Sequence, residues 1–351
     1  MTDISQKDAL ALSDVACTVN IGQKSALIFG VSGQDGAYLA RLLLDKGYMV
    51  HGASRDAEMS TFSSLVALGI RDLVVIHSAT LNDFRSTLQL IATVQPDEVY
   101  NLSGQSSVGL SFQQPVETLE SIATATLNVL ESIRFLKRPV RFYNAGSSEC
   151  FGDTGGTAAD EQTPFRPRSP YGVAKSAAYW EVANYRDSYA LFACSGILFN
   201  HESLLRPSRF VTRKVAMAAA RIALGSDETL TIGDLSIERD WGWAPEYVEA
   251  MWAMLQQPEP EDFVIASGRH TSLQNFVETS FASLGLDWRD HVVQDKSLFR
   301  PSEIRSGCGR PDKAARLLDW TARTTVEEVA SRMAVGEMKR LQGQPIEELL
   351  R

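Results

Sequence analysis

A doubly wound α/β fold, with a parallel sheet covered by helices on both faces and a smaller mixed α/β domain after it, is what this sequence predicts. Three observations carry the prediction. Short, nearly continuous apolar runs alternate with amphipathic stretches, a glycine-rich turn follows the first run, and the rhythm breaks after Asn200. Strands buried on both faces read as unbroken apolar runs, and the helices between them supply the crossovers that a parallel sheet needs. Right-handed crossovers then leave the doubly wound, Rossmann-like arrangement.

Taken in order, "ALIFG" (26–30) is the first strand, and Tyr38, Leu39, Leu42 and Leu43 mark the helix that follows. "MVHGAS" (49–54) and "LVVIHS" (73–78) are the next two strands. A helix through Leu88, Leu90 and Ile91 leads to "EVYNLS" (98–103). One long helical pattern over 115–136 precedes "RFYNAG" (141–146), and a helix over about 171–189 precedes the sixth strand, "ACSGILFN" (193–200). Beyond it "RPSRFVTRK" is basic, "TLTIGDLSIERDWG" mixes a short strand with a loop, and helices run over 246–256 and 272–284. The implied division is a polar extension over 1–24, a nucleotide-binding domain over 25–200 with return segments at about 240–270, and a second domain over 201–239 and 271–345.

At 351 residues the chain is longer than one core usually supports. A net charge of −9 argues against non-specific nucleic-acid or anionic-membrane binding. No stretch approaches the roughly 18 apolar residues of a membrane helix. The first residues lack the basic start and long apolar run of a signal peptide. Cys17, Cys150, Cys194 and Cys308 have no metal-ligand spacing and the five histidines no HxxxH pair, so a reduced, cytoplasmic setting without a bound metal is expected.

"GVSGQDG" places Gly30, Gly33 and Gly36 between the first strand and its helix. Such a turn either packs a helix tightly on a strand or lets a pyrophosphate approach free N–H groups at the helix N-terminus. The alternation around it favours the second. At the end of the second strand an acid would bond a ribose 2′-hydroxyl, and an arginine would hold a 2′-phosphate. "ASRD" offers Arg55 first and Asp56 next, so NADP is the expected cofactor; an exposed Arg–Asp pair is the plainer alternative.

"SPYGVAK" sets Tyr171 and Lys175 four residues apart, on one helix face. A phenol with a pKa of about 10 is a poor base at neutral pH, and a nearby ammonium favours its phenolate. The pair follows the fifth strand and the hydroxyls of Ser147 and Ser148. Glu149 stands at the mouth of that strand, where a carboxylate is costly unless it is paired or used.

Together these residues resemble the extended short-chain dehydrogenase/reductase family, and within it the GDP-mannose 4,6-dehydratases. The segments "GVSGQDGAYLARLLLDKGYMVHG", "RSPYGVAKSAAYWEVANYRDSYALFACSGILFNHES", "FVTRK", "RDWGWAPEYVEAMWAMLQQPEPEDFVIASG" and "RPSEI" carry the likeness, from about 25 to about 341. The resemblance implies an NADP-dependent hydro-lyase acting on a GDP-sugar as a homodimer or homotetramer. Its catalytic set would be Ser147, Glu149, Tyr171 and Lys175, with Glu149 removing the C5 hydrogen of a 4-keto sugar. It also implies cofactor contacts from Gly30, Gly33, Gln34, Asp35, Gly36, Arg55, Leu102, Ser103, Gln105 and His201. His201 itself reads as a histidine satisfied within the fold rather than as a catalyst. Substrate contacts would come from Ser107, Asn200, Glu202, Lys214, Arg239, Arg300 and Glu303. The chain departs from the family's usual residues at Asp56, Ser78–Ala79, Ser107, Ser147, "ESLLRP" and Trp243. A GDP-heptose dehydratase or an NADPH-dependent 4-keto-sugar reductase is the alternative reading.

Overall fold

The computed structural model of the protein describes residues 22–299 and 302–350. Cys17, Arg300 and all but the end of the expected 1–24 extension lie outside the described residues.

Seven parallel strands form the central sheet: β1 (Ser25–Phe29), β2 (Met49–Ser54), β3 (Val75–Ser78), β4 (Glu98–Asn101), β5 (Arg141–Ala145), β6 (Ala193–Leu198) and β7 (Phe263–Ile265). Their spatial order is β7-β6-β5-β4-β1-β2-β3. The order in which strands are added therefore reverses between β1 and β4, the switch point where open α/β sheets take ligands. Five strands fall within the expected runs, and β1 begins one residue before its own. The seventh is supplied by a three-residue run that returns to the sheet beside β6.

The flanking helices include α1 (Gln34–Asp45), α2 (Phe84–Val94), α3 (Ala125–Leu136), α4 (Pro170–Tyr189) and α5 (Ala244–Met254). The expected continuous helix over 115–136 instead runs from Pro115 to Leu119, passes through a π-helical turn at Glu120–Thr124, and resumes as α3. Single π turns gather near functional sites. Here Ser121 Oγ accepts from the Gln105 N–H (3.3 Å), just after β4.

A second hydrophobic core gathers Val215, Ala219, Trp241, Trp243, Phe276, Phe281 and Met333. It joins the helices Val211–Ala223, Leu273–Ala282 and Val326–Leu341. The last of these starts with a reciprocal cap between Thr325 and Glu328. Burying a branched or aromatic side chain of this kind stabilises by roughly 1.5–3 kcal/mol, so this cluster is a substantial core in its own right. No helix among the described residues is long and apolar enough to cross a membrane.

Candidate active site

Two close approaches shape the cradle at the end of β1. Gly30 has φ +85°, and a Cβ there would lie 2.7 Å from the Leu102 carbonyl oxygen. A Cβ on Gly36 would lie 2.3 Å from the Gly30 carbonyl oxygen. Only glycine allows the loops after β1 and β4 to meet and α1 to start this close to its strand. The N-cap of α1 is Gly33, which has no side chain to occupy the first N–H groups of the helix. The cradle fits a pyrophosphate. Beside it Ser103 Oγ donates to Asn101 Oδ1 (2.6 Å), and Gln105 Nε2 donates to the Ser107 carbonyl (2.8 Å). Ser107 caps a short turn, accepting from the Leu110 N–H.

Gln34 and Asp35 turn their side chains away from that cradle. Gln34 Nε2 donates to the His201 carbonyl (3.1 Å), and its Oε1 accepts from Ser203 Oγ (2.8 Å). His201 Nδ1 donates to the Phe199 carbonyl (2.7 Å), and Nε2 donates to Asp35 Oδ2 (2.9 Å). With acceptors at both ring nitrogens the imidazolium is favoured. Burial opposes its charge, but Asp35 overcomes this and raises the His201 pKa. Burial likewise opposes the Asp35 carboxylate, yet His201 and Gln34 hold it down to about 2.

The signs of the two shifts define a pH window. A raised histidine contributes its full stability below its ordinary 6.5 and loses it as pH rises through the folded value. A depressed aspartate contributes above its ordinary 3.8 and loses that as pH falls toward about 2. The pair is thus fully stabilising between those two ordinary values. Asp35→Asn should cost about 3 kcal/mol near pH 6, since one partner of a buried pair is removed. Thermal melts across pH should show the gap from wild type closing on the alkaline side; a constant gap would refute the pairing.

At the end of β5, Ser147 Oγ accepts from the Glu149 N–H (3.3 Å), which bends residues 148–150 into a tight turn. Helix α4 begins beside it, capped by Ser169 accepting from the Gly172 N–H (3.0 Å), with Pro170 in its first turn. A Cβ on Gly172 would meet the Glu149 carbonyl at 2.7 Å, so this glycine lets the Tyr171 turn press onto the Glu149 backbone. Burial pushes the Tyr171 phenol well up; a hydrogen bond with Ser147 pulls it down, and the Glu149 charge raises it further. All three groups therefore sense one another. Lys175 Nζ donates to the Ala145 carbonyl (2.7 Å) and lies 5.9 Å from the centre of the Tyr171 ring. Burial depresses it to about 8. The expected lowering of the phenol by this ammonium is not what the folded chain displays, because one apolar enclosure penalises both charged forms.

Glu149 also borders a cleft with Phe199, Asn200, Arg239, Asp240 and Ile304. Arg239 Nη2 donates to Glu303 Oε1 (2.7 Å) at its edge. Glu202 is buried, accepting from Thr212 Oγ1 (2.7 Å) and pairing with Arg206 (3.2 Å). Lys214 lies exposed in the first turn of the helix Val211–Ala223 and is not among the residues lining the cleft. Of the expected substrate residues, the fold thus gathers Asn200, Arg239 and Glu303, commits Glu202 to internal bonds, and leaves Lys214 outside. Asp240, which sequence reasoning passed over, is fully buried beside Arg239. Its signal was the "RDWG" run itself.

The profile of the GDP-mannose 4,6 dehydratase family matches residues 27–333. The chain belongs to the GDP-mannose 4,6-dehydratase family. A family relative, GDP-mannose 4,6 dehydratase 2 of Arabidopsis thaliana, is 42% identical over 339 residues, covering 94% of this chain and 91% of that protein. The fold is similar to dTDP-glucose 4,6-dehydratase of Bacillus anthracis, solved in complex with NAD (TM-score 0.79, 16% identity, 93% of this chain and 100% of that one). It is also similar to RMD of Pseudomonas aeruginosa, complexed with NADPH (TM-score 0.75, 21% identity, 91% and 100%). For this member of the GDP-mannose 4,6-dehydratase family, the β2 end is informative. Asp56 Oδ1 accepts from the N–H groups of Glu58 and Met59 (3.0 Å each), while Arg55 is exposed and makes no ion pair among the described residues.

Proposed function

We propose that this protein is a GDP-mannose 4,6-dehydratase, converting GDP-D-mannose to GDP-4-keto-6-deoxy-D-mannose. The observation that carries the reading is the shared corner of Ser147, Glu149 and Tyr171 beside a pyrophosphate cradle, in a chain of this family. NADP is the proposed cofactor, held by the Gly30–Gly36 turn with Arg55 free to meet a 2′-phosphate. Bound there, it would supply the nicotinamide that accepts hydride from C4 and returns it to C6.

The chain's own residues handle the protons. Tyr171, beside Ser147, takes the C4 hydroxyl proton, and Lys175 holds the helix face against the Ala145 carbonyl. The resulting ketone acidifies the C5 hydrogen. Glu149 removes that hydrogen as a proton and hands it to the C6 hydroxyl, which leaves as water, and the proton taken up by Tyr171 balances the one later returned to C5. An epimerase or reductase on this fold has no use for an acid at that place. Arg239 suits a phosphate oxygen and Glu303 a ribose hydroxyl at the cleft edge. In this assignment residues 25–200 with 240–270 hold the cofactor, and 201–239 with 271–345 hold the sugar nucleotide.

The buried thiols of Cys150, Cys194 and Cys308 are free, which supports a reducing, cytoplasmic setting. Exposed apolar side chains at Val116, Leu119, Phe135, Val173 and Trp180 lie on adjacent helices, and a second copy of the chain would cover them as a homodimer; analytical ultracentrifugation reads this directly. Incubating the protein with GDP-mannose, a GDP-heptose and other nucleotide sugars, with mass spectrometry for loss of one water, tests the function. Water loss without net consumption of NADPH is expected from GDP-mannose. No product from any GDP-hexose or GDP-heptose would overturn the reading, and stoichiometric NADPH consumption would make the protein a reductase.

A further inference from the structure

Asp240 borders the cleft, yet no part of it is exposed. Its Oδ1 accepts from the N–H of Ser267 (2.9 Å) and from Ser267 Oγ (2.7 Å). Its Oδ2 accepts from the N–H groups of Gly268 (3.0 Å) and Gly309 (3.5 Å). The Asp240 N–H in turn donates to the Gly307 carbonyl (3.0 Å). Three pieces of chain that are far apart in sequence are joined at this one carboxylate. They are the turn after β7, the short strand Glu238–Arg239, and the strand Ser306–Gly307 that pairs with it.

Arg239 sits inside this junction. A Cβ on Gly307 would be only 3.8 Å from Arg239 Cδ, so the Ser306–Gly307 strand flanks the side chain directly. On its other side Arg239 Nη1 donates to the Glu238 carbonyl (2.8 Å), and Nη2 reaches Glu303. The Glu238 N–H donates to the Arg305 carbonyl (2.8 Å), closing the strand pair. The direction of the guanidinium is thus set by backbone on both flanks, and that backbone is held in register from below by Asp240. A carboxylate is suited to this work because each of its oxygens can accept two hydrogen bonds, whereas an amide or hydroxyl leaves some of the four donors unanswered. Burial pushes the acid up to about 6, and the bonds from Ser267, Gly309 and Gly268 hold it down.

We propose that Asp240 is a positioning residue for substrate affinity: by tying the 267–268 turn and residues 307–309 to the Glu238–Arg239 strand, it aims the Arg239 guanidinium at the diphosphate of the nucleotide sugar. The identity of that ligand rests on the function proposed above. The reacting carbons of the sugar are served by Glu149 and Tyr171, so Asp240 acts on binding and not on the chemical step.

The test compares the cofactor-loaded wild type with Asp240→Asn, Arg239→Ala and the double variant. The measurements are KM and kcat for GDP-mannose and Kd for GDP by calorimetry. Asparagine keeps the shape but turns one oxygen into an amide nitrogen that faces N–H donors. A loss of one charge-assisted bond's worth of alignment corresponds to roughly a tenfold rise in KM and in the GDP Kd, with kcat within about twofold. In the Arg239→Ala background the same change should add less than about twofold, because the residue through which it acts is gone. An unchanged KM with a lower kcat, or a full tenfold effect on top of Arg239→Ala, would overturn the proposal. Should Asp240→Asn fail to fold, Ser267→Ala removes one donor pair member and should give a smaller KM rise with the same dependence on Arg239; additivity there overturns the proposal equally. Wild type failing to bind GDP overturns the functional reading and this one with it, whereas normal wild-type binding that Asp240→Asn leaves unaltered overturns this one alone.

Discussion

Glu149→Gln is expected to lower dehydratase turnover about 10³-fold, within the range usual for a positioned acid–base group, while leaving the first oxidation at C4 intact. Glutamine matches the carboxylate in shape and can still accept hydrogen bonds, so the tight turn capped by Ser147 should survive. What it cannot do is take the C5 proton. Run in deuterium oxide, wild type should place solvent deuterium at C5 of the product, and the variant should place none in either recovered sugar or product. GDP-sugar binding should hold within a few-fold, since Asn200 and Arg239 are untouched. C5 exchange at the wild-type rate in Glu149→Gln would assign the proton to another group.

Tyr171→Phe should be at least as damaging, by about 10³-fold, and should differ in kind. Without the phenol no ketone forms at C4, so the C5 hydrogen is never acidified and both deuterium uptake and water loss disappear together. The ring remains to fill its enclosed site against Ile122, Ala174 and Ala178, so thermal stability should stay close to wild type. The pattern that would refute the assignment is deuterium uptake at C5 persisting in Tyr171→Phe. The two variants thus separate the roles: one stops the sequence of proton transfers at its start, the other in its middle.

The elements that could be read from the chain are those whose cause is local. β2 occupies Met49–Ser54 as expected, because a short, mostly apolar run broken only by His51 and followed by the polar Arg55–Asp56 leaves little choice. Helix α4 starts within a residue of expectation, since Ser169 and Pro170 are start signals with a mechanism. The seventh strand was hidden because "FVI" is too short to show a period and is stabilised only by its neighbour β6. The π turn at Glu120–Thr124 was equally invisible, being a matter of one extra residue in an otherwise helical pattern. Within the site, spacing and order pointed to Tyr171, Lys175 and Glu149, but the direction of the Tyr171 shift depends on burial, which spacing does not reveal. The internal bonds of Gln34, Asp35, Glu202 and His201 depend on contacts across more than a hundred residues, or on which way a side chain turns.

The stitching of Gln34 and Asp35 to His201 and Ser203 has a broader meaning for how the molecule grips two ligands at once. In the assignment proposed above the start of α1 holds the dinucleotide and the stretch from Asn200 onward holds the sugar, so a single knot of side chains would tie both handholds into one bracket. A protein that must return its cofactor unchanged at every cycle gains from such a bracket, because the ring that gives up hydrogen cannot drift from the ring that lends it back. Freedom to exchange cofactor and fidelity in reusing it pull in opposite directions, and this knot sides with fidelity.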